Sequence, residues 1–509
     1  MTRAGWGGGY TVDVDYLQEY FADWVPLRTR FALLASGWEA PPLRSACELG
    51  FGQGMTIAVA AATGDAEWVG TDFNPSQVAN ARDLAGPTCR LFDDSFAEFA
   101  ARDDLPTFDF IVLHGIWSWV SPENRAVLVD FIRRRLAVGG VLYVSYNLAA
   151  GWASMGAVRR LMKDFYDKRA DRSAGPEVRV RATLAFAEGL LATGSAHLGS
   201  QPLAADRIAK LKTHDWRYIL HEYLNDDWHP MHFAEVAEEL AGAKLGYACS
   251  AAFFDHVDVL THGEEQIRIL ESIRDVADRE TMRDFFSNRN FRRDLWVKGA
   301  MRISSDRQRR EIGAFTVTLL TRRADVTLQI GMGENTATLQ KAIYEPILDR
   351  LADGPCTIAD LLAALEPRGI AFGQIVEAVR VLLAKFDVGF VQDAPVIEAR
   401  RASTRVLNRR LLDRVRDGDE VKFLASPVLG CGLPVDHVHL LFILAREAGH
   451  ESADAIAAHA WEALTARGRS LVADGRAITD PDAGRARMKV LVEGFLEARL
   501  PVLTALEAV

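Results

Sequence analysis

Between residues 48 and 54 the chain reads Glu48-Leu49-Gly50-Phe51-Gly52-Gln53-Gly54. Glycine at every second position lets a backbone turn sharply and approach a ligand closely. A dinucleotide fingerprint wants its third glycine one place later, where this chain has Met55, so the turn is a poor pyrophosphate cradle. Glu48 also repels phosphate and suits a cation. Further on, Asp72 can accept hydrogen bonds from a ribose diol, and Phe73 or Asn74 can lie against a purine. Asp94 can accept from an adenine amino group, beside Ser95 and with Phe96 to pack on the ring.

Taken together, these residues describe a sulfonium nucleoside, S-adenosylmethionine, better than a dinucleotide. An ordinary tight turn and a helix cap at Asp72 are the bland alternatives for each feature alone. With such a cofactor the reaction is an in-line methyl displacement whose reactivity the cofactor supplies. The protein must align an acceptor lone pair and exclude water. No metal is required. The pairs His229/His232 and His437/His439 lack a nearby cysteine or second pair, so no metal site is expected.

Candidates for the acceptor side are His114, Trp117, Tyr146, Asn147 and Tyr223, with Trp119 and Trp152 as further aromatic walls. An amine acceptor has to lose its proton, and aromatic walls desolvate an ammonium and hold it by cation–π contact. Core packing is the alternative for each aromatic. His114 reads as a base or a cofactor contact, and counts in both sets. Tyr16, with Tyr10, is placed to close over the cofactor.

Positioning such residues takes strands that end side by side. Apolar runs at 45–49, 67–72, 88–92, 108–114 and 141–147 read as strands, and 55–63, 75–84, 96–101 and 122–136 as the helices between them. That alternation predicts a parallel sheet covered on both faces, an α/β Rossmann-like core. Its ligand lies outside the carboxyl ends of the strands. Gly139-Gly140 is expected to stop the last helix; after Asn147 the alternation ceases, and 246–323 mixes strands and helices.

Four units follow from the pattern: an N-terminal helical leader or lid (1–40), a cofactor-binding core (41–151), a helical and mixed middle domain (152–332), and a mainly helical C-terminal domain (333–509). In the last, helices at 357–365 and 372–386 and a strand at 388–392 follow winged-helix order.

The 509 residues carry a net charge of -10, with 49% hydrophobic and 25% charged residues, as in a soluble globular chain. An acidic chain, balanced over 401–509, argues against nucleic acid as the partner. Five scattered cysteines suggest neither a disulfide framework nor a zinc site. No apolar run reaches the roughly 18 residues of a membrane span, and no signal peptide is visible. The expected location is cytoplasmic.

The stretches 48–54, 70–75, 91–96, 114–119 and 144–147 resemble class I methyltransferases that carry a methyltransferase regulatory domain, a group that includes the bacterial outer-membrane-protein lysine methyltransferases. His221-Glu222-Tyr223-Leu224-Asn225 with Trp228, and the run 288–298, are similar to that family's middle domain. The resemblance implies a class I methyltransferase fold with S-adenosylmethionine as cofactor. It further implies a winged-helix-like C-terminal part and a protein acceptor such as lysine. A small-molecule or surface-glycan acceptor and a non-enzymatic cofactor-sensing regulator are the alternatives. A homodimer stays open.

Overall fold

The computed structural model describes residues 10, 14 and 18–509, except 333–334, 419–420 and 474–475. The leader contributes one helix, α1 (Pro26–Ala35). It does not cap the sheet edge: Phe31 sits among the rings of Phe253, Phe315 and Phe390 at 5.9, 5.5 and 4.9 Å.

The core follows the expected order: β1 (Ser45–Leu49), α2 (Met55–Thr63), β2 (Glu67–Thr71), α3 (Pro75–Ala85), β3 (Cys89–Phe92), α4 (Phe96–Ala100), β4 (Phe108–Leu113), α5 (Pro122–Arg135) and β5 (Leu136–Asn147). Every residue of α2 is buried, which its alanines and lack of charge allow. The change from α5 to β5 comes before Gly139-Gly140 rather than at them. Lys298 Nζ donates to the carbonyls of Arg133 and Leu136, both at 2.7 Å, and so closes the helix early.

After β5 come the helices α6 (Ala149–Trp152), α7 (Gly156–Lys168), α8 (Pro176–Ala192), α9 (Ala196–Gly199), α10 (Pro202–Leu211) and α11 (Trp216–Tyr223). They form a cap with its own apolar core, from Trp152 to Leu224. The chain then returns to the sheet through α12 (Phe233–Ala241), β6 (Leu245–Ser250), α13 (Asp258–Thr261), α14 (Glu264–Ser272), α15 (Val276–Ser287) and β7 (Phe291–Lys298). The sheet has seven strands in the order β3-β2-β1-β4-β5-β7-β6. Strands β1 to β5 are parallel, and β7 runs antiparallel to both β5 and β6.

So the sheet gains two strands, β7 and β6, beyond the five read from the alternation. The charges at 292–294 hid β7, because they break its apolar run. In the fold Arg292 and Asp294 are buried and paired: Arg292 meets Asp294 at 2.8 Å, Asp284 at 2.9 Å and Glu280 at 2.9 Å. Such pairs offset the desolvation that would otherwise exclude charge from a strand interior.

The C-terminal part begins with α16 (Ser305–Gly313), β8 (Thr316–Leu319), the hairpin β9 (Gln329–Met332) and β10 (Asn335–Thr338), and α17 (Lys341–Ala352). Next are β11 (Cys356–Thr357), α18 (Ile358–Leu365), α19 (Phe372–Ala384) and β12 (Val388–Val391). Helix, helix, strand occur as expected, in a small sheet ordered β11-β8-β12. A wing hairpin does not follow, since the chain runs from β12 into α20 (Ala394–Asp417). That helix lies along α2. Ser403 Oγ and Thr404 Oγ1 donate to the Ala62 carbonyl at 2.7 and 3.3 Å, and Gln392 Nε2 to that of Thr63 at 2.8 Å. The hairpin β13 (Phe423–Ser426) and β14 (Cys431–Pro434) also packs against α2. One apolar core runs from Trp24 to Ala508.

Candidate active site

A cavity of about 610 Å³ opens at the carboxyl ends of β1, β2, β4 and β5, under the cap. Gly50, Gly52 and Gly54 all have left-handed φ, at 76°, 56° and 74°. The turn is tight at two of them. A Cβ on Gly50 would meet Ile116 Cδ1 at 2.3 Å, and one on Gly54 would meet Ala81 Cβ at 2.2 Å. At Gly52 a Cβ meets nothing within 4 Å. The loop is tied to the next strand, because Gly52 donates its N–H to Asp72 Oδ2 at 2.9 Å. Asn74 N–H donates to Asp72 Oδ1 at 3.0 Å. With its amide turned to suit, Gln77 donates to both Asp72 oxygens, at 3.1 and 3.2 Å.

Glu48, Asp72 and Asp94 make this end of the cavity acidic. Burial pushes Asp72 up to about 6, against the pull of its hydrogen bonds from Asn74 and Gly52. Burial, and next the nearby Asp72, push Glu48 well above the carboxylate range. Glu48 Oε2 is buried without a hydrogen-bond partner. Asp94 is held by Arg102 at 2.9 Å through Oδ2. A cationic ligand would offset this charge.

At the end of β4, His114 Nδ1 lies 2.8 Å from the Tyr143 hydroxyl. Phe21 stacks on its ring with centroids 3.9 Å apart. Burial pulls the imidazole down to about 4, so it is neutral at pH 7. Asn147 ends β5; its N–H bonds Ser118 Oγ at 2.8 Å, while its Nδ2 is buried with no partner. From the cap, Trp152 packs on Tyr223 with centroids 5.3 Å apart. Tyr218, Glu222, Arg207 and Lys210 face the same space, as do Glu19 from the leader and Asp227.

The sequence candidates divide by which side of the backbone they leave. Glu48, Gly50, Phe51, Gly52, Gln53, Gly54, Asp72, Phe73, Asp94, Ser95, Phe96, His114, Asn147 and Tyr223 line the cavity. The Ser95 hydroxyl is also bound to Glu98 in the capping box of α4. Trp117, Tyr146 and Asn74 do not line it. Trp117 is fully buried in the core on the other face of the sheet. Tyr146 donates to Asp294 at 2.7 Å. Asn74 caps α3 by accepting from Ser76 N–H at 3.0 Å. Tyr16 lies outside the described residues, whereas Tyr10 lines the cavity and packs on His221 with centroids 5.4 Å apart.

Sequence reasoning missed Glu19, Phe21, Gln77 and most of the cap wall. Gln77 had a signal, one helical turn past Phe73 on the start of α3. Leader and cap residues had none, because their approach to the sheet edge is set by packing far along the chain.

Residues 46–140 match the family model of a methyltransferase domain, and residues 215–298 that of a predicted methyltransferase regulatory domain. The chain is 32% identical over 516 residues to the uncharacterized protein sll1526 of a Synechocystis strain, covering 98% of this chain and 99% of that protein. It is 24% identical over 264 residues to the uncharacterized protein RP789 of Rickettsia prowazekii, covering 50% of this chain and 45% of that one. PKMT2 from Rickettsia typhi, solved in complex with AdoHcy, superposes with a TM-score of 0.66 at 19% identity, over 95% of this chain and 98% of that one. At that identity the likeness is one of fold.

Proposed function

Because the chain belongs to the class I S-adenosylmethionine-dependent methyltransferases that carry a methyltransferase regulatory domain, we propose that its acceptor is the side-chain amine of a protein lysine. The cofactor supplies a methyl group on a sulfonium, open to in-line displacement. We assign Asp72 to the ribose diol, Asp94 and Phe96 to the adenine, and Glu48 with the 50–54 loop to the cationic end. The unpartnered buried oxygen of Glu48 and the three glycines support that fit.

One observation carries the acceptor reading: the wall facing the cofactor residues combines Trp152, Tyr218 and Tyr223 with Glu19, Glu222 and Asp227. Aromatic faces hold a cation and strip its water, and carboxylates favour its approach. Burial among the rings lowers the pKa of the amine from roughly 10.4, so the ammonium gives its proton to water, the lone pair attacks the methyl carbon, and the cofactor leaves as a neutral thioether. His114, neutral at pH 7, orients rather than takes the proton, and Asn147 offers a polar contact to the acceptor. PKMT2 from the structural comparison and the sequence likeness to lysine enzymes agree with this reading.

A second reading, a small zwitterionic acceptor, is favoured by Arg207 and Lys210 in the same wall. Labelled S-adenosylmethionine incubated with fractionated cell extract separates the two. Label in protein, at lysine, is expected; label confined to small molecules or glycans overturns the protein reading.

A further inference from the structure

The cap helix α10 turns one face to the cavity, and that face is cationic. Arg207, Lys210 and Leu211 stand at helical spacing and all line the cavity. Leu211 also belongs to the apolar core of the cap, as do Ala204 and Ile208, so the helix is fixed from beneath. The Arg207 guanidinium lies over the Trp152 ring, 4.7 Å from its centroid. That contact with the ring face uses none of the guanidinium N–H groups. Arg207 Nη1 is buried and has no hydrogen-bond partner. No described carboxylate comes within 4.0 Å of Arg207 or Lys210.

Several other cations of the cap do pair with carboxylates. Lys163 pairs with Asp167 and Asp226, Arg181 with Glu177, and Lys212 with Glu188. Carboxylates are therefore available on these helices, yet the two cations that face the cavity lack one. A planar guanidinium stacked on an indole, with an ammonium one turn away, matches the two oxygens of a carboxylate.

We propose that Arg207 and Lys210 form a carboxylate subsite at the cap end of the cavity. Two ligands bring a carboxylate there: an acidic residue next to the methylated lysine, or the amino-acid end of the cofactor. The first source rests on the lysine reading; the second does not. Either way the cap, not the sheet edge, supplies the groups that read the anion. The lysine amine and its acidic neighbour would then be gripped by opposite charges, Glu222 with Glu19 for one and Arg207 with Lys210 for the other.

The test uses the full chain with Arg207→Gln and Lys210→Gln together, and with Arg207→Lys alone as the conservative variant. Calorimetry with AdoHcy and with methylthioadenosine, which lacks the amino-acid end, reads the cofactor source. A loss of at least tenfold for AdoHcy with none for methylthioadenosine assigns the subsite to the cofactor. Binding of the dipeptides Lys-Glu and Lys-Gln to the AdoHcy complex reads the acceptor source. A wild-type preference for Lys-Glu of tenfold or more, lost in the double variant and partly kept by Arg207→Lys, assigns it to the acceptor. If the double variant melts like the wild type, leaves AdoHcy affinity unchanged and leaves the two dipeptides equally bound or equally distinguished, the subsite does not exist. An enzyme that prefers Lys-Glu through Arg207 but methylates no lysine keeps the subsite and loses the lysine reading.

Discussion

Gly50, Gly52 and Gly54 are interchangeable letters in the sequence, but a methyl group added to each meets a different neighbour. At Gly54 the added carbon lands 2.2 Å from Ala81 Cβ and 2.9 Å from its Cα, with backbone on the far side. Gly54→Ala should therefore lower the melting temperature as well as cofactor affinity. At Gly52 there is room, and only the left-handed φ costs about 1–2 kcal/mol. Gly52→Ala should fold, with a small loss in melting temperature, and bind AdoHcy poorly; calorimetry beside a thermal melt checks both. Asp72 behaves differently again. Its buried carboxylate accepts the Gly52 and Asn74 N–H groups, and Asp72→Asn turns an amide NH2 toward one of those donors, so the variant should melt lower than the wild type. It should also lose roughly 100-fold in AdoHcy affinity, since hydrogen bonds to a charged acceptor are worth about 1.5–3 kcal/mol each.

The pH dependence has a definite sign at this scale. Asp72 titrates near 6 in the free protein, and its ionised form is the one that accepts from a diol. Below pH 6 the proton must leave before the cofactor binds, so kcat/KM for S-adenosylmethionine should fall about tenfold per pH unit. Glu48 is raised too, by burial first and Asp72 second. A bound cation lowers both, so binding releases protons. Calorimetry in buffers of different ionisation heat should detect that release, and Glu48→Gln should diminish it. A cofactor affinity flat from pH 5 to pH 8 would contradict the assignment of Asp72.

At the scale of elements, the strand ends explain which site residues could be read in advance. Successive side chains of a strand leave opposite faces. Tyr146 and Asn147 are neighbours at the end of β5, yet Asn147 reaches the cavity and Tyr146 turns to Asp294. Periodicity located the strand end but did not say which of the two faces ligand. Trp117 lies in a helical turn after β4 and is buried in an apolar core instead of facing the cavity. The loop and Asp72 were legible because a turn and the next strand end are local features. Strand β7 was not, since its charges are neutralised by Glu280 and Asp284 of α15, which no local pattern reveals.

The leader shows how distant elements hold the site. Tyr20 packs on Phe423 with centroids 5.0 Å apart and accepts the Gly432 N–H at 2.8 Å. Its neighbours Glu19 and Phe21 line the cavity, and Phe21 N–H donates to Thr56 Oγ1 at 3.1 Å. Tyr20→Ala should raise KM for the cofactor several-fold more than it lowers kcat, because it loosens the leader segment that carries Phe21 against His114. Equal effects on both constants would indicate a role in folding alone.

Across the whole molecule, the C-terminal part is continuous with the core rather than tethered to it. Its α20 supplies Ser403 and Thr404 to the last carbonyls of α2, the helix that leaves the cofactor loop. Replacing both by alanine and valine strands the buried Ala62 carbonyl and should destabilise the protein by about 1–3 kcal/mol, read as a lower melting temperature. A chain ending near residue 392 should fail to fold as a cofactor-binding unit. Length suggests several domains and composition an acidic chain, but neither reveals this shared core, because burial of one part against another leaves no periodic trace.

The central claim, methyl transfer from S-adenosylmethionine to a protein lysine in this cavity, is tested most directly by one labelling measurement. Wild-type protein and Asp72→Ala are incubated with methyl-labelled S-adenosylmethionine and native cell extract, and the labelled residue is identified by mass spectrometry. The account predicts methylated lysine in the protein fraction with the wild type and none with the variant. Label carried by glycan or small molecules alone, or equal labelling by the variant, would contradict it.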